Sequence, residues 1–279
     1  MTNLTKVMKS TKSSIVGGAL RPNAGIAADF AKPIVGLVEL MCRDVKRELV
    51  RAFKQTDFGV AMDASISSQT RIILNALLIK WQSRFNKTAK TVTDRMIDRT
   101  IRNSAITLAM SFKEAGEAFK IDMSFSNAQL ADVIKASTQE AANLIKVIPQ
   151  KYLADVQGAV MRSITTGNGL KDLVPYLTKQ YKGNVRHARL VALDQTRKSY
   201  QTINTSRLKT LGIKKFIWVH SGGGKEPRPL HIKMSGNEYK FDDPPYIGMM
   251  YGQEIRGLPG DLPNCRCICK PVINFDLDE

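Results

Sequence analysis

Hydrophobic residues recur at intervals of three and four through most of this chain, and the positions they occupy predict a series of helices. Ile34, Leu37, Val38, Met41, Val45, Leu49 and Phe53 fall along one helical stripe. Ile66, Ile73, Leu77, Trp81 and Phe85 repeat the arrangement after Asp63, a fitting N-cap. A third helix is expected from Val92 to Phe119 and a fourth from Asn127 to Ile145, after the cap candidate Ser126. A fifth opens with Pro149, since a first helical turn tolerates proline. Gly167-Asn168-Gly169 ends that helix, and Leu170 to Tyr181 makes a short sixth. A long seventh follows Gly183, from Val185 to Leu211, with Gly212 just past its C-terminus.

After Gly212 the pattern changes. "KKFIWVH" is rich in β-branched and aromatic residues and reads as a strand, "SGGGKEPRP" as a loop, and "NEYKF" as a short strand. "DDPPYIG" and "GLPGDLPN" are rich in turn residues. At the other end, residues 1–28 are polar, with Gly17-Gly18, Pro22 and Gly25 and no sustained period, and read as a flexible arm. The fold class is mainly α: an elongated helical N-terminal body followed by a small loop-rich α+β C-terminal module.

Charge adds the strongest compositional signal. Lysine plus arginine number 42 against 25 aspartate plus glutamate, a formal +17 over 279 residues. Between Gly183 and Lys233 eleven basic residues face two acidic ones, Asp194 and Glu226, whereas the final "NFDLDE" is acidic. A field of this sign attracts polyphosphate non-specifically. Arg186, Arg189, Arg197, Lys198, Arg207, Lys209, Lys214 and Lys215 are the candidates for contact with nucleic acid. On the expected seventh helix they stand among small polar residues, which suits phosphate contacts rather than base reading. The alternatives are a solvated face or pairing with an acidic protein partner.

The chain is long enough to bury a core without disulfides. Its N-terminus lacks the apolar run of a signal peptide, and no apolar run approaches the ~20 residues of a membrane span. A soluble protein of a reducing compartment, without membrane partners, is therefore expected.

Three of the four cysteines crowd into "LPNCRCICKP". If that stretch is extended, Cys265, Cys267 and Cys269 project from one side, because side chains alternate along a strand. With His220 and His231 they make five candidate donors for a metal, of which tetrahedral zinc would use four. Against this, Cys-x-Cys chelates less readily than Cys-x2-Cys, and reduced cysteines also pack as small apolar residues. A disulfide within Cys-x-Cys would be a strained small ring.

Catalytic templates fail. "SGGGKE" lacks the Gly-x4-Gly-Lys-Ser/Thr run of a phosphate loop, because Glu226 and Pro227 follow Lys225. There is no GxSxG elbow, no HExxH helix, and no thiol-protease signature around Cys265. No catalytic residue is assigned, and an enzyme using Cys265 or His231 ranks last among the readings.

Several features in order carry a resemblance: the basic helix "RHARLVALDQTRKSYQTINTSRLKTLGI", the strand "FIWVH" with Trp218, "PRPLH" with Arg228 and His231, then Gly236, "DDPP", "GLPG" and "NCRC" with Asn264. Together they resemble the head morphogenesis domain of tailed phages, the Mu F-like minor head proteins, over about residues 183–273. The division expected from this is an arm over 1–28, a helical body over 29–182 that is the candidate portal-docking part, the Mu F-like module over 183–273, and an acidic tail over 274–279. The resemblance implies a non-enzymatic minor capsid protein of the virion. It would associate with the portal protein inside the head, assist assembly, and contact packaged double-stranded DNA. Scaffolding or major capsid protein are further candidate partners. Arg228, His231, Cys265 and Cys267 match the family's recurrent polar positions, and Trp218 and Gly236 its structural ones. The loop "SGGGK" and the extra Cys269 depart from the family pattern. The second reading is a freestanding DNA-binding or DNA-processing protein with a zinc-stabilised C-terminal module.

Overall fold

The computed structural model describes residues 14–57, 65–115, 128–222 and 226–274. The cap candidates Asp63 and Ser126, Lys225 of the glycine loop, and the acidic tail beyond Asn274 lie outside these residues. The fold is mainly α with a small C-terminal sheet region. In chain order the elements are β1 (Ser14–Val16), α1 (Ala24–Asp57), α2 (Ile66–Ala115), α3 (Ala128–Lys146), α4 (Ile148–Thr165), α5 (Leu170–Thr210), β2 (Lys215–Val219), α6 (Pro229–Lys233), β3 (Glu238–Lys240), β4 (Tyr246–Met250), β5 (Gln253–Arg256) and β6 (Ile268–Asn274). No helix among the described residues is long and apolar enough to cross a membrane.

Two pairs of expected helices are each one helix. The second and third fuse into the 50-residue α2, because "NKTAKT" between Phe85 and Val92 contains no glycine or proline. The buried stripe crosses that stretch at Ala89 and continues beyond it partly through polar residues, Thr93, Thr100 and Ser104, which an apolar pattern does not count. The sixth and seventh fuse into the 41-residue α5, with Gly183 inside it. A mid-helix glycine costs only about 1 kcal/mol relative to alanine, and packing on either side outweighs that.

The described residues gather into two compact units, and linear order does not follow them: 28–57, 65–95 and 139–193 form one, and 14–27, 96–115, 128–138, 194–222 and 226–274 the other. In the first, Ile34, Val38, Met41, Val45 and Leu49 of α1 are fully buried, as the stripe predicts. Asp44 of α1 is buried and satisfied from α2: its Oδ2 accepts hydrogen bonds from Lys80 Nζ at 2.7 Å and Trp81 Nε1 at 3.0 Å. Burial alone would raise the Asp44 carboxyl, but these bonds outweigh it and hold the group below its ordinary value. Pro149 enters α4 at its first turn, and Gly167 leaves it with a positive φ of 72°.

In the other unit the antiparallel order is β1-β6-β2-β3, with β4 and β5 as a separate hairpin. Trp218 of β2 stands opposite Cys269 of β6, and Ile15 of β1 opposite Ile273. Leu20, Leu108, Phe112, Tyr200, Leu208, Phe216, Trp218 and Ile247 share one core, so the ends of α2 and α5 back the sheet.

The arm expected over residues 1–28 is corrected from Ser14 onward. Beyond β1, Gly17 N donates to Pro271 O at 2.9 Å, Leu20 N donates to Cys269 O at 2.9 Å, and the Leu20 side chain is fully buried. Gly17 is required for that approach, since a Cβ there would meet Ser111 Oγ at 2.7 Å and Pro271 Cγ at 2.9 Å. A three-residue strand is too short to show as periodicity, so composition alone read this stretch as loose.

Candidate metal centre

Three segments meet around His231. The first is α6, a single turn whose first residue is Pro229, which sets φ for the helix and has no amide to leave unpaired. It carries His231 inward to 2 % exposure. The second is β4, where the carbonyl of Ile247 accepts from His231 Nε2 at 3.0 Å. The third is the turn before β6, where Cys265 N donates to Leu262 O at 3.0 Å and the backbone brings both Cys265 and Cys267 to the other side of the ring.

The geometry is close. Cys265 Sγ lies 3.5 Å and Cys267 Sγ 3.6 Å from His231 Nδ1, and the three donor atoms all fall within 4.8 Å of one another. All three side chains are buried, and no disulfide joins the sulfurs. A carbonyl can only accept, so Nε2 bears a proton, and in the neutral ring Nδ1 presents its lone pair to the cysteines. The Trp218 ring packs edge-on against the imidazole with centroids 5.1 Å apart.

The titration of the trio is shared. A hydrogen bond from Cys267 is the main cause that brings the Cys265 thiol down to about 4, against the opposing effect of burial, with His231 adding to it. Cys267 is pushed up in turn, first by that same bond and then by burial. His231 is raised by its bond to Cys265, more than burial lowers it.

The residues the sequence marks as structural each hold part of this frame. Gly236, at φ 89°, donates its amide to Trp218 O at 2.8 Å, so the turn after α6 grips the strand that carries the tryptophan. Arg228 Nη2 donates to Pro263 O at 3.1 Å. Asn264 adopts a left-handed φ of 61°, which asparagine tolerates better than most residues, and its amide donates to Asp194 Oδ1 at 2.8 Å. Asp194 was not singled out by sequence reasoning. Its single charge within a basic helix is the one signal that could have marked it.

Two of the five expected metal donors stand elsewhere. Cys269 lies in β6, fully buried against Gln201, whose Nε2 is 3.3 Å from its Sγ, and burial pushes its thiol up to about 11. His220 Nδ1 accepts from Gly222 N at 3.3 Å. The alternation expected along "CRCIC" does not apply, because β6 begins only at Ile268 and the preceding turn decides where Cys265 and Cys267 point.

Among the basic candidates, Arg207 is corrected. It is buried, and its Nη1 donates to Ile101 O at 3.0 Å and Ser104 Oγ at 2.8 Å, so it braces α5 against α2 rather than facing a ligand. Lys209 pairs with Asp242 at 2.6 Å and Lys215 with Glu238 at 2.8 Å. Arg197 and Lys198 are half-buried, and burial, with Arg266 as a like-charged neighbour, lowers the Arg197 guanidinium. Arg186, Arg189 and Lys214 are exposed.

Comparison with known proteins adds the following. Residues 154–270 match the family described as "Phage Mu protein F like protein", so the resemblance read over about 183–273 holds and reaches upstream into α4. An uncharacterized protein of Haemophilus influenzae (strain ATCC 51907 / DSM 11121 / KW20 / Rd) is 26% identical over 253 residues, which cover 88% of this chain. Those residues cover 53% of the relative, so the chain spans about half its length. No solved structure matches the chain.

Proposed function

We propose that this chain, whose residues 154–270 form a Mu F-like module, is a phage head morphogenesis protein. In this reading it is a minor, non-catalytic component of the virion. It docks to the portal protein at the inner vertex of the head through helical surfaces and meets packaged double-stranded DNA through exposed basic side chains. The family match is the observation that carries the proposal. The net charge of +17 and the exposed Arg186, Arg189 and Lys214 support contact with phosphates of arbitrary sequence. Scaffolding and major capsid protein are secondary partners in the same assembly.

The test is co-expression with the portal protein of the same genome, followed by capture of the portal and a high-salt wash. Retention of the chain is the expected result, because an apolar helix-in-groove dock survives salt that strips phosphate contacts. A chain that washes away, yet holds DNA at low salt, would instead be a freestanding DNA-binding protein. A chain that holds neither would overturn both readings.

A further inference from the structure

We propose that His231 Nδ1, Cys265 Sγ and Cys267 Sγ bind one zinc ion, with an oxygen donor from solvent or backbone completing a tetrahedron, and that the ion clips the loop-rich module together. This goes beyond the head-protein reading and stands independently of it, because it rests on the geometry of three side chains.

Distance is the first support. A zinc ion with bonds near 2.3 Å to sulfur and 2.0–2.1 Å to nitrogen holds its tetrahedral N and S donors about 3.5 Å apart. The two Nδ1···Sγ separations here are 3.5 and 3.6 Å.

Hydrogen bonding alone cannot give both sulfurs a bond to Nδ1. Nδ1 has one lone pair, and two thiols converge on it, so at most one can donate well. An ion removes the conflict, since all three donors then point their lone pairs at a common centre.

The surroundings fit as well. The Ile247 carbonyl fixes the tautomer that frees Nδ1, which is the usual arrangement around a metal-bound histidine. The Trp218 ring packs edge-on against the imidazole, and its buried indole N–H has no hydrogen-bond partner. Two thiolates and an imidazole form a soft-to-borderline set, which selects zinc over calcium or magnesium.

The ion would join α6 and the turn before β6, and through Ile247 it would reach β4. It would add to the Arg228–Pro263 and His231–Ile247 bonds and the shared core that already join these segments, so metal binding contributes to folding. Binding displaces about two protons per ion in all, both from the trio, whose sulfurs become thiolates while the imidazole is neutral.

The experiment uses the full chain, purified under reducing conditions without metal-affinity resin. Elemental analysis should find about one zinc per chain, and Cys265→Ser and Cys267→Ser should each lose it while Cys269→Ser keeps it. Because a serine variant could fail to fold, the wild-type chain is also stripped and reloaded with Co2+ alone. Its visible spectrum should show intense tetrahedral d–d bands and thiolate-to-cobalt charge transfer. The proposal is overturned if the reduced wild-type chain takes up no added Zn2+, if the cobalt form is weakly coloured and octahedral, or if both serine variants retain zinc.

Discussion

The Nε2–H of His231 is bonded to the carbonyl of Ile247, and this single contact at 3.0 Å decides which ring nitrogen the two cysteines face. Were the neutral ring protonated at Nδ1 instead, its N–H would point at the sulfurs, the Nε2 lone pair would face the carbonyl, and no nitrogen lone pair would be offered to an ion. The strand that supplies the carbonyl therefore presets the chemistry of a histidine on a different element.

Trp218→Phe should keep the packing against that ring while deleting the indole N–H. Zinc affinity, read by competition with a chromophoric chelator, should fall about tenfold, as for loss of a hydrogen-bond donor behind the ligands. Unchanged affinity with an unchanged melting temperature would remove Trp218 from any role beyond packing.

Gly17→Ala should lift β1 away from β6, because the new methyl collides with Ser111 and Pro271. A loss of about 1–3 kcal/mol is expected in urea denaturation, together with new proteolytic cleavage within residues 14–23. Gly36→Ala, in α1 with nothing within 4 Å of the new Cβ, should stabilise by up to about 1 kcal/mol, so the two glycines separate close approach from helix propensity.

Asp44 predicts an acid limb. Its folded-state pKa lies below the unfolded value, so its stabilisation is complete above an ordinary aspartate pKa of about 4 and is lost as pH falls through the lower native value. Asp44→Asn should flatten that limb and cost about 1–3 kcal/mol at neutral pH, because Trp81 keeps an acceptor while Lys80 loses its partner charge. A pH series of thermal melts for both chains checks this. An unchanged limb in the variant would assign the acid sensitivity to other carboxylates.

Arginines of one helix should divide cleanly by role. Arg207→Ala, which removes the buried bonds from α5 to Ile101 O and Ser104 Oγ and leaves a cavity between the helices, should cost about 2–3 kcal/mol of stability. Replacing Arg186 and Arg189 together by alanine should leave the melting temperature alone and reduce the log–log salt slope of DNA binding by about 2. Fluorescence anisotropy across a salt series measures the slope; an unaltered slope would take these two residues out of the DNA contact.

The sequence was most legible where one stripe of large apolar residues serves one neighbour. Ile34 through Leu49 declares α1 outright. It is least legible where burial is carried by small or polar groups: Ala89, buried between Phe85 and Thr93, carries α2 through what reads as a break. The candidate centre shows the same division. His231, Cys265 and Cys267 are marked by chemical type, but their separation from His220 and Cys269 depends on where β6 begins, and nothing in "CRCIC" says that its first three residues lie outside the strand. Arg207 carries the same charge as Arg186 and differs only in what lies across from it, which no local pattern records.

The pairing of Ile15 with Ile273 also sets a timetable. During synthesis β1 emerges early, yet the strand it needs is made some 250 residues later, and β6 must also reach β2. Closure of such distant partners is slow relative to helix formation. The helices can form while the chain is being made, but the sheet is sealed only after Asn274 has left the ribosome. Until then the backbone of Ser14–Val16 is an unpaired edge, and a chain stalled before β6 would leave both flanking strands open to pairing with a neighbour.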